Sequence, residues 1–241
     1  MKVIILAGGL GTRLSEETQL RPKPLVLLMD KPILWHIMNI FASQISCEIY
    51  IATGYKSFMI DDYLNSSFPN KKNINVKSIF TGESSQTGTR IKQIMSEHPG
   101  SQFLVTYGDG VANISIQKLI EFHNNHGKLA TVTAVRPPAR FGRLNLNGDK
   151  VIEFSEKSQS TEGWINGGYF VFQPEVINYL SNIDTPLEHQ PLANLSRDSQ
   201  LMAYKHDGFW QPMDTLREKF DLEKLIMNNN APWMQTFDQS L

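Results

Sequence analysis

Short apolar runs of strand length alternate with segments of helical period from Val3 to Pro137, and that alternation restricts the fold more than any other feature of the chain. Val3–Leu6 is apolar throughout and soon meets glycine, which suits a strand buried on both faces. Pro32 opens ILWHIMNIFAS, where Ile33, Leu34, Ile37, Ile40 and Phe41 recur at helical spacing. CEIYIATG reads as a second strand closed by Gly54, FMIDDYL as a helix and NVKSIF as a third strand. The polar stretch TGESSQTGTR reads as a loop leading into the helix IKQIMSEH. SQFLVTYGDG is a fourth strand ending in a glycine-flanked aspartate, IQKLIEFHNNHG a helix stopped by Gly127, and ATVTAVRP another strand. Strand and helix in turn predict a parallel α/β sheet with helices on both faces.

Beyond Pro138 the rhythm changes. RLNLNGDKVIEF alternates and carries the turn dipeptide Asn147-Gly148, the mark of a hairpin. INGGYFVF and LMAYKH read as strands, PEVINYL and LEHQPLANLSRD as helices. TLREKFDLEKLIMNN is a final helix with Leu216, Phe220, Leu222 and Leu225 as its apolar residues. With no internal repeat or composition shift, one domain over residues 1–241 is expected.

Charge and cysteine usage narrow the function. A formal net charge of -1 gives no general field toward nucleic acid or an anionic membrane, so any anion must be held by a few placed residues. A single cysteine, Cys47, rules out an intramolecular disulfide and suits a reducing compartment; within CEIYIAT it reads as core filler. The first apolar run is shorter than the ~7–15 residues of a signal-peptide core, and no stretch approaches the ~18 of a membrane span. A cytoplasmic protein is expected.

LAGGLGTRL follows the first strand, and in open α/β sheets ligands bind beyond the carboxyl ends of strands. Gly8, Gly9 and Gly11, with Ala7, leave the main chain bare enough for phosphate oxygens to reach its N–H groups. GGLG lacks the spacing of the dinucleotide fingerprint, and no Gly-Lys-Ser/Thr follows to make an ATP-binding P-loop. Taken alone, a plain glycine turn accounts for the stretch equally well. Arg13 and Lys23 change the balance. Pro22 and Pro24 bracket Lys23 and are expected to hold its backbone extended, and a solvated surface charge poorly explains a lysine pinned there.

LAGGLGTRL followed by PKP resembles the triphosphate loop of sugar-1-phosphate nucleotidyltransferases. KPILWHIM, TYGDGV, ATVTAVRPPARFG, EGWINGGYFV, GFWQPMDTLR and NNNAPW resemble one branch, the glucose-1-phosphate cytidylyltransferases, over nearly the whole chain. The resemblance implies a Rossmann-like three-layer α/β sandwich with a mostly parallel mixed sheet and a small β-hairpin region on the sugar side. Residues 1–138 would then bind nucleotide, and 139–241 would bind sugar and carry the C-terminal helix. The implied reaction is Mg²⁺-dependent transfer of a cytidylyl group from CTP to α-D-glucose 1-phosphate, giving CDP-glucose and pyrophosphate. It also implies a homo-oligomer with no nucleic-acid or membrane partner.

Carried over by residue, Leu6, Ala7, Gly8, Gly9, Leu10, Gly11, Thr12, Arg13, Lys23, Ser85, Arg90 and Gly108 would contact the nucleotide. Arg13, Lys23 and Asp109 would be catalytic, Asp109 and Asp214 would hold the metal, and TGESSQTGTR would read the base. Gly142, Glu156, Lys157, Asn166 and Gly168 would take the sugar phosphate. On local sequence Asp214 is equally an N-cap of the last helix, Glu156-Lys157 a surface ion pair, and Phe209 and Trp210 either sugar-stacking or core aromatics.

The chain departs from the family pattern in a few places. Ser158 stands where the family shows proline, Ser85 where threonine is usual, and Thr89 where a second glycine is usual, a branched side chain expected beside the base pocket. FPNKKNINVKSIF is shorter than in the branch, where it serves subunit contacts. None of the six histidines forms a metal pattern; His36, His123 and His126 read as structural, while His189 and His206 stay unassigned. Two rivals stand: the same chemistry with UTP, dTTP or another phosphorylated substrate, and a non-catalytic nucleotide-sensing subunit. Arg13, Lys23, Asp109, Lys157 and Asp214 together argue against the second.

Overall fold

The structure, a computed structural model, describes residues 1–67, 74–137, 143–155 and 163–235. Strand β1 (Lys2–Ala7) leads into the glycine loop, the short helix α1 (Ser15–Thr18) and a small hairpin, β2 (Leu27–Leu28) with β3 (Lys31–Pro32). Then come α2 (Ile33–Ala42), β4 (Cys47–Thr53), α3 (Ser57–Ser67), β5 (Ile74–Phe80), α4 (Thr87–Glu97) and β6 (Phe103–Tyr107). β7 (Gly110–Ala112), α5 (Ile116–His126) and β8 (Ala130–Val135) precede a separate hairpin of β9 (Arg143–Asn147) and β10 (Lys150–Ser155). β11 (Ile165–Phe172), α6 (Gln190–Arg197), β12 (Leu201–His206), β13 (Trp210–Pro212) and α7 (Leu216–Met227) follow.

The central sheet has seven strands in the order β12-β8-β11-β6-β1-β4-β5. β1 pairs in parallel with β4 and β6, β4 with β5, and β12 with β8, whereas β11 runs against both β6 and β8. The sheet is mostly parallel and mixed, as expected. From β1 the chain steps outward to β4 and β5, then returns to place β6 on the other side of β1. Such a reversal opens a crevice at the carboxyl ends of the strands flanking it, here β1 and β6.

β1 shows why the layers are three. Val3, Ile5 and Ala7 join a core with residues of α2, α3, α5 and α7, while Ile4 and Leu6 join a second core with residues of α4 and α6. A strand covered on both faces has no reason to alternate polar with apolar, hence its unbroken run. The residues expected at helical spacing in α2 are all buried. Cys47 is buried within β4, and burial pushes its thiol up to about 11, as suits core filler.

Several expectations are corrected. PEVINYL is a 3-10 turn over Pro174–Tyr179, and LEHQPLANLSRD is helical only from Gln190. The β9–β10 turn centres on Gly148-Asp149, with Asn147 paired to Lys150 and Gly148 taking the left-handed φ of 59°. α4 begins at Thr87, so the end of TGESSQTGTR is helix. Phe220 is exposed; at roughly 100° per residue it points well away from Leu222, which faces the core. Among the described residues no helix is long and apolar enough to cross a membrane. FPNKKN, Gly142, Glu156, Lys157 and Ser158 lie outside the described residues.

Candidate active site

The loop after β1 is shaped by what packs behind it. A Cβ at Gly8 would overlap the Arg90 guanidinium, and Gly11 sits at φ 65°, where a side chain is strained. Arg90, on the first turn of α4, is 3% exposed. Its nitrogens donate to the carbonyls of Gly8 (3.1 Å), Thr53 (2.8 Å), Gly82 (2.9 Å) and Ser85 (2.9 Å), and to the Thr81 hydroxyl (2.6 Å). The guanidinium therefore ties the end of β4 and the loops after β1 and β5 into one wall, and the fork is spent on protein acceptors. Burial lowers its pKa, and the cluster of carbonyls offsets that cost by solvating the charge.

Two aspartates meet because of a strand pair too short to see in the sequence. β7 and β13 run antiparallel with Gly110 opposite Pro212, so the start of one adjoins the end of the other. Asp109 precedes the first and Asp214 follows the second, and the Met213 amide donates to the Asp109 carbonyl at 2.7 Å. The Asp214 carboxylate is free of the helix it precedes. Thr215 is the N-cap of α7, in a capping box with Glu218, so the N-cap reading of Asp214 falls.

Both carboxylates converge on one cation. Lys23 Nζ lies 2.7 Å from Asp109 Oδ2 and 2.6 Å from Asp214 Oδ1, and Arg13 reaches Asp214 Oδ2 at 2.5 Å. Lys23 is 7% exposed, whereas most of the Arg13 side chain faces solvent. Pro22 is extended, but Lys23 itself opens a 3-10 turn over Lys23–Leu25, which corrects the expected extended lysine. The turn points the ammonium inward, and the Pro24 ring then lines the same cleft.

That cleft, between the carboxyl ends of β1 and β6, is lined by Leu6, Ala7, Gly8, Gly9, Gly11, Thr12, Arg13, Lys23, Ser85, Arg90, Gly108 and Asp109. Leu10 is 55% exposed and is not in the lining. Gln86 and Thr87, within the loop expected to read the base though not singled out there, line it too, as does Tyr107, which no sequence signal marked. Thr89 does not line it; its hydroxyl accepts from the Thr185 amide at 3.3 Å. Asn166 and Gly168 are not in the lining; they adjoin it through Tyr107, to whose hydroxyl Asn166 Nδ2 donates at 3.1 Å, while Gly168, at φ 78°, donates its N–H to Asn166 Oδ1 at 2.8 Å. Phe209 stacks on Trp233 and Trp210 Nε1 donates to the Gly167 carbonyl at 2.7 Å, so both aromatics serve packing.

Two converging carboxylates beside a glycine-lined cleft suit a hard divalent ion such as Mg²⁺, which takes one or two carboxylates and completes its shell with phosphate oxygens and water. Among the described residues no group of three or more His, Cys, Asp or Glu side chains converges, so a cage made by protein alone is not formed there. His36, His123 and His126 are structural, as expected. His36 is buried against Trp233, and His123 and His126 share the Thr131 hydroxyl. His206 Nε2 contacts the Phe209 carbonyl.

The chain is similar to known proteins over nearly its whole length. The family model described as nucleotidyl transferase matches residues 2–211. The glucose-1-phosphate cytidylyltransferase of Salmonella typhimurium is 44% identical, over 97% of this chain and 98% of its own. A probable glucose-1-phosphate cytidylyltransferase of Bacillus subtilis is 37% identical, over 97% of this chain and 99% of its own. Among solved structures, HddC from Yersinia pseudotuberculosis superposes with a TM-score of 0.72 at 25% identity, covering 93% of this chain and 99% of that one.

Proposed function

We propose, on the premise that this chain belongs to the nucleotidyl transferase family and within it to the glucose-1-phosphate cytidylyltransferases, that the cleft between β1 and β6 is where cytidylyl transfer occurs. The enzyme joins CTP and α-D-glucose 1-phosphate to give CDP-glucose and pyrophosphate. A phosphate oxygen of the sugar ester attacks the α-phosphorus. The bond from that phosphorus to the oxygen bridging the β-phosphate breaks, and pyrophosphate leaves with the electron pair. The attacking phosphate is already ionised at neutral pH, so neither a protein nucleophile nor a general base is needed. Positioning and charge stabilisation suffice.

In this reading the amides of Gly8 to Gly11 approach the triphosphate. The planar fork of Arg13 takes two oxygens of the departing pyrophosphate, and Lys23 lowers the charge beside the reacting phosphorus. Asp109 and Asp214 would hold Mg²⁺, which when bound supplies neutralisation of phosphate oxygens. Asn166 and Gly168 face the sugar, with Gly142, Glu156 and Lys157 contributing from outside the described residues. Arg90 orders the nucleotide wall through main-chain carbonyls. The proposal includes a cytoplasmic homo-oligomer, supported by the resemblance alone.

The observation that carries the reading is the meeting of Lys23, Arg13, Asp109 and Asp214 at one end of a glycine-lined cleft. Pyrophosphate release is the test, measured with CTP, UTP, dTTP and GTP against a small panel of sugar phosphates. CTP with glucose 1-phosphate should give the highest kcat/KM; UTP performing as well would refute the choice of base.

A further inference from the structure

The segment Asp184–Glu188 ties the start of α4 to the end of β6. Asp184 accepts from the Gln86 amide at 2.8 Å and the Thr185 carbonyl from the Gly88 amide at 3.1 Å, so it caps the start of α4, whose own N-cap side chain makes no such bond. Glu188 goes further. Its Oε2 accepts from the Thr87 hydroxyl at 2.7 Å, and its Oε1 accepts from the Tyr107 hydroxyl at 2.5 Å. Thr87 lines the nucleotide wall, and Tyr107 ends β6.

Proton bookkeeping gives this carboxylate a consequence. A phenol has one proton. With that proton committed to Glu188, the Tyr107 oxygen offers only lone pairs to Asn166, whose amide must present its nitrogen there. At the other end the Gly168 N–H requires the amide oxygen, so the Asn166 side chain is oriented from both sides. One Asn166 N–H is then left without a partner among the described residues, on an exposed residue.

We infer that Glu188 is a positioning residue for the sugar-phosphate side: by holding the Tyr107 hydroxyl proton it fixes the Asn166 amide with an N–H ready for a substrate oxygen. This rests on the function proposed above. Glu188→Gln keeps the shape but lets the new amide donate to Tyr107, which would turn the phenol proton toward Asn166 and set donor against donor.

The test is steady-state kinetics on Glu188→Gln, Tyr107→Phe and the double variant, with thermal melts of each. KM for glucose 1-phosphate should rise about tenfold in either single variant, the scale of one lost charge-assisted hydrogen bond. kcat and KM for CTP should stay within about twofold, and the double variant should be no worse than the weaker single, since both break one chain. Additive effects, or a KM for CTP that rises as much, would overturn the inference, as would lowered melting temperatures with the sugar-phosphate KM unchanged. If Glu188→Gln does not fold, Tyr107→Phe decides alone. A wild-type protein that uses another sugar 1-phosphate and ignores this one refutes the proposed substrate; the same KM comparison on that substrate then decides the role of Glu188.

Discussion

The Lys23 ammonium that pairs with both aspartates is also the group proposed to act in catalysis. Without ligands its ammonium is the shared partner of Asp109 and Asp214, and buried carboxylates that lose their only common cation are costly. Arg13 still pairs Asp214, and Asp109 is partly open to water, so the penalty is discounted. Lys23→Met should destabilise the fold by about 2 kcal/mol and reduce kcat by about 100-fold or more. The telling measurement is a pair of thermal melts, with millimolar magnesium and with a chelator. Magnesium should raise the melting temperature more in Lys23→Met than in the wild type, because a divalent ion replaces the missing charge. An equal or smaller rise would mean that the carboxylates do not act as a pair.

Among the elements, α5 and β8 are joined by a buried polar chain rather than by apolar packing alone. The Lys128 amide donates to His126 Nδ1, so His126 carries its proton on Nε2 and donates to Thr131; Gln173 Nε2 donates to His123 Nε2, so His123 carries its proton on Nδ1 and donates to the same hydroxyl. The accepting nitrogen of each ring is available only while both rings are neutral. Burial lowers His123 to about 4 and His36 to about 4, against 6.5 for a free imidazole, and lowers His126 as well. Between pH 4 and 6.5 the unfolded chain binds more protons than the folded one. The stabilisation is therefore whole above pH 6.5 and drains away as pH falls toward 4, at most on the order of 3 kcal/mol per ring. Urea unfolding at pH 7.5, 6, 5 and 4.5 should show this slope, and His123→Gln should flatten it. A stability independent of pH across that window would contradict the neutral chain.

For the molecule as a whole, the strand order forbids either half from standing alone. β11, from the second half, lies between β6 and β8 of the first, and β12 closes the edge against β8. Removing residues beyond 139 would strip β6 and β8 of a neighbour and uncover Val105 and Val132. Heat should therefore unfold the protein in one transition, with far-ultraviolet and near-ultraviolet dichroism melting together. CTP at about 100 times its dissociation constant should stabilise that single transition by about 2.7 kcal/mol. Two separated transitions would mean that the halves behave as distinct domains.

Much of this was open to reading along the chain. Apolar runs such as Val3–Leu6 predict doubly covered strands because burial on both faces erases alternation, and the glycines after β1, equally consistent with a plain turn on their own, read as a phosphate loop once Arg13 and Lys23 are added. The same reasoning named Lys23, Asp109 and Asp214 through resemblance, yet could not say that they touch. That contact depends on β7 and β13, three-residue strands without a period to detect, drawn from segments about a hundred residues apart. Arg90 shows the limit from the other side: the donors of a charged residue at a nucleotide position are taken up by carbonyls at the carboxyl ends of three separate strands. Local sequence determines periodicity, turns and caps, since those follow from each residue and its near neighbours. Which charges meet, which donors are already satisfied and which side chain is left free for a substrate were decided by tertiary structure, because each depends on partners that only folding brings within 3 Å.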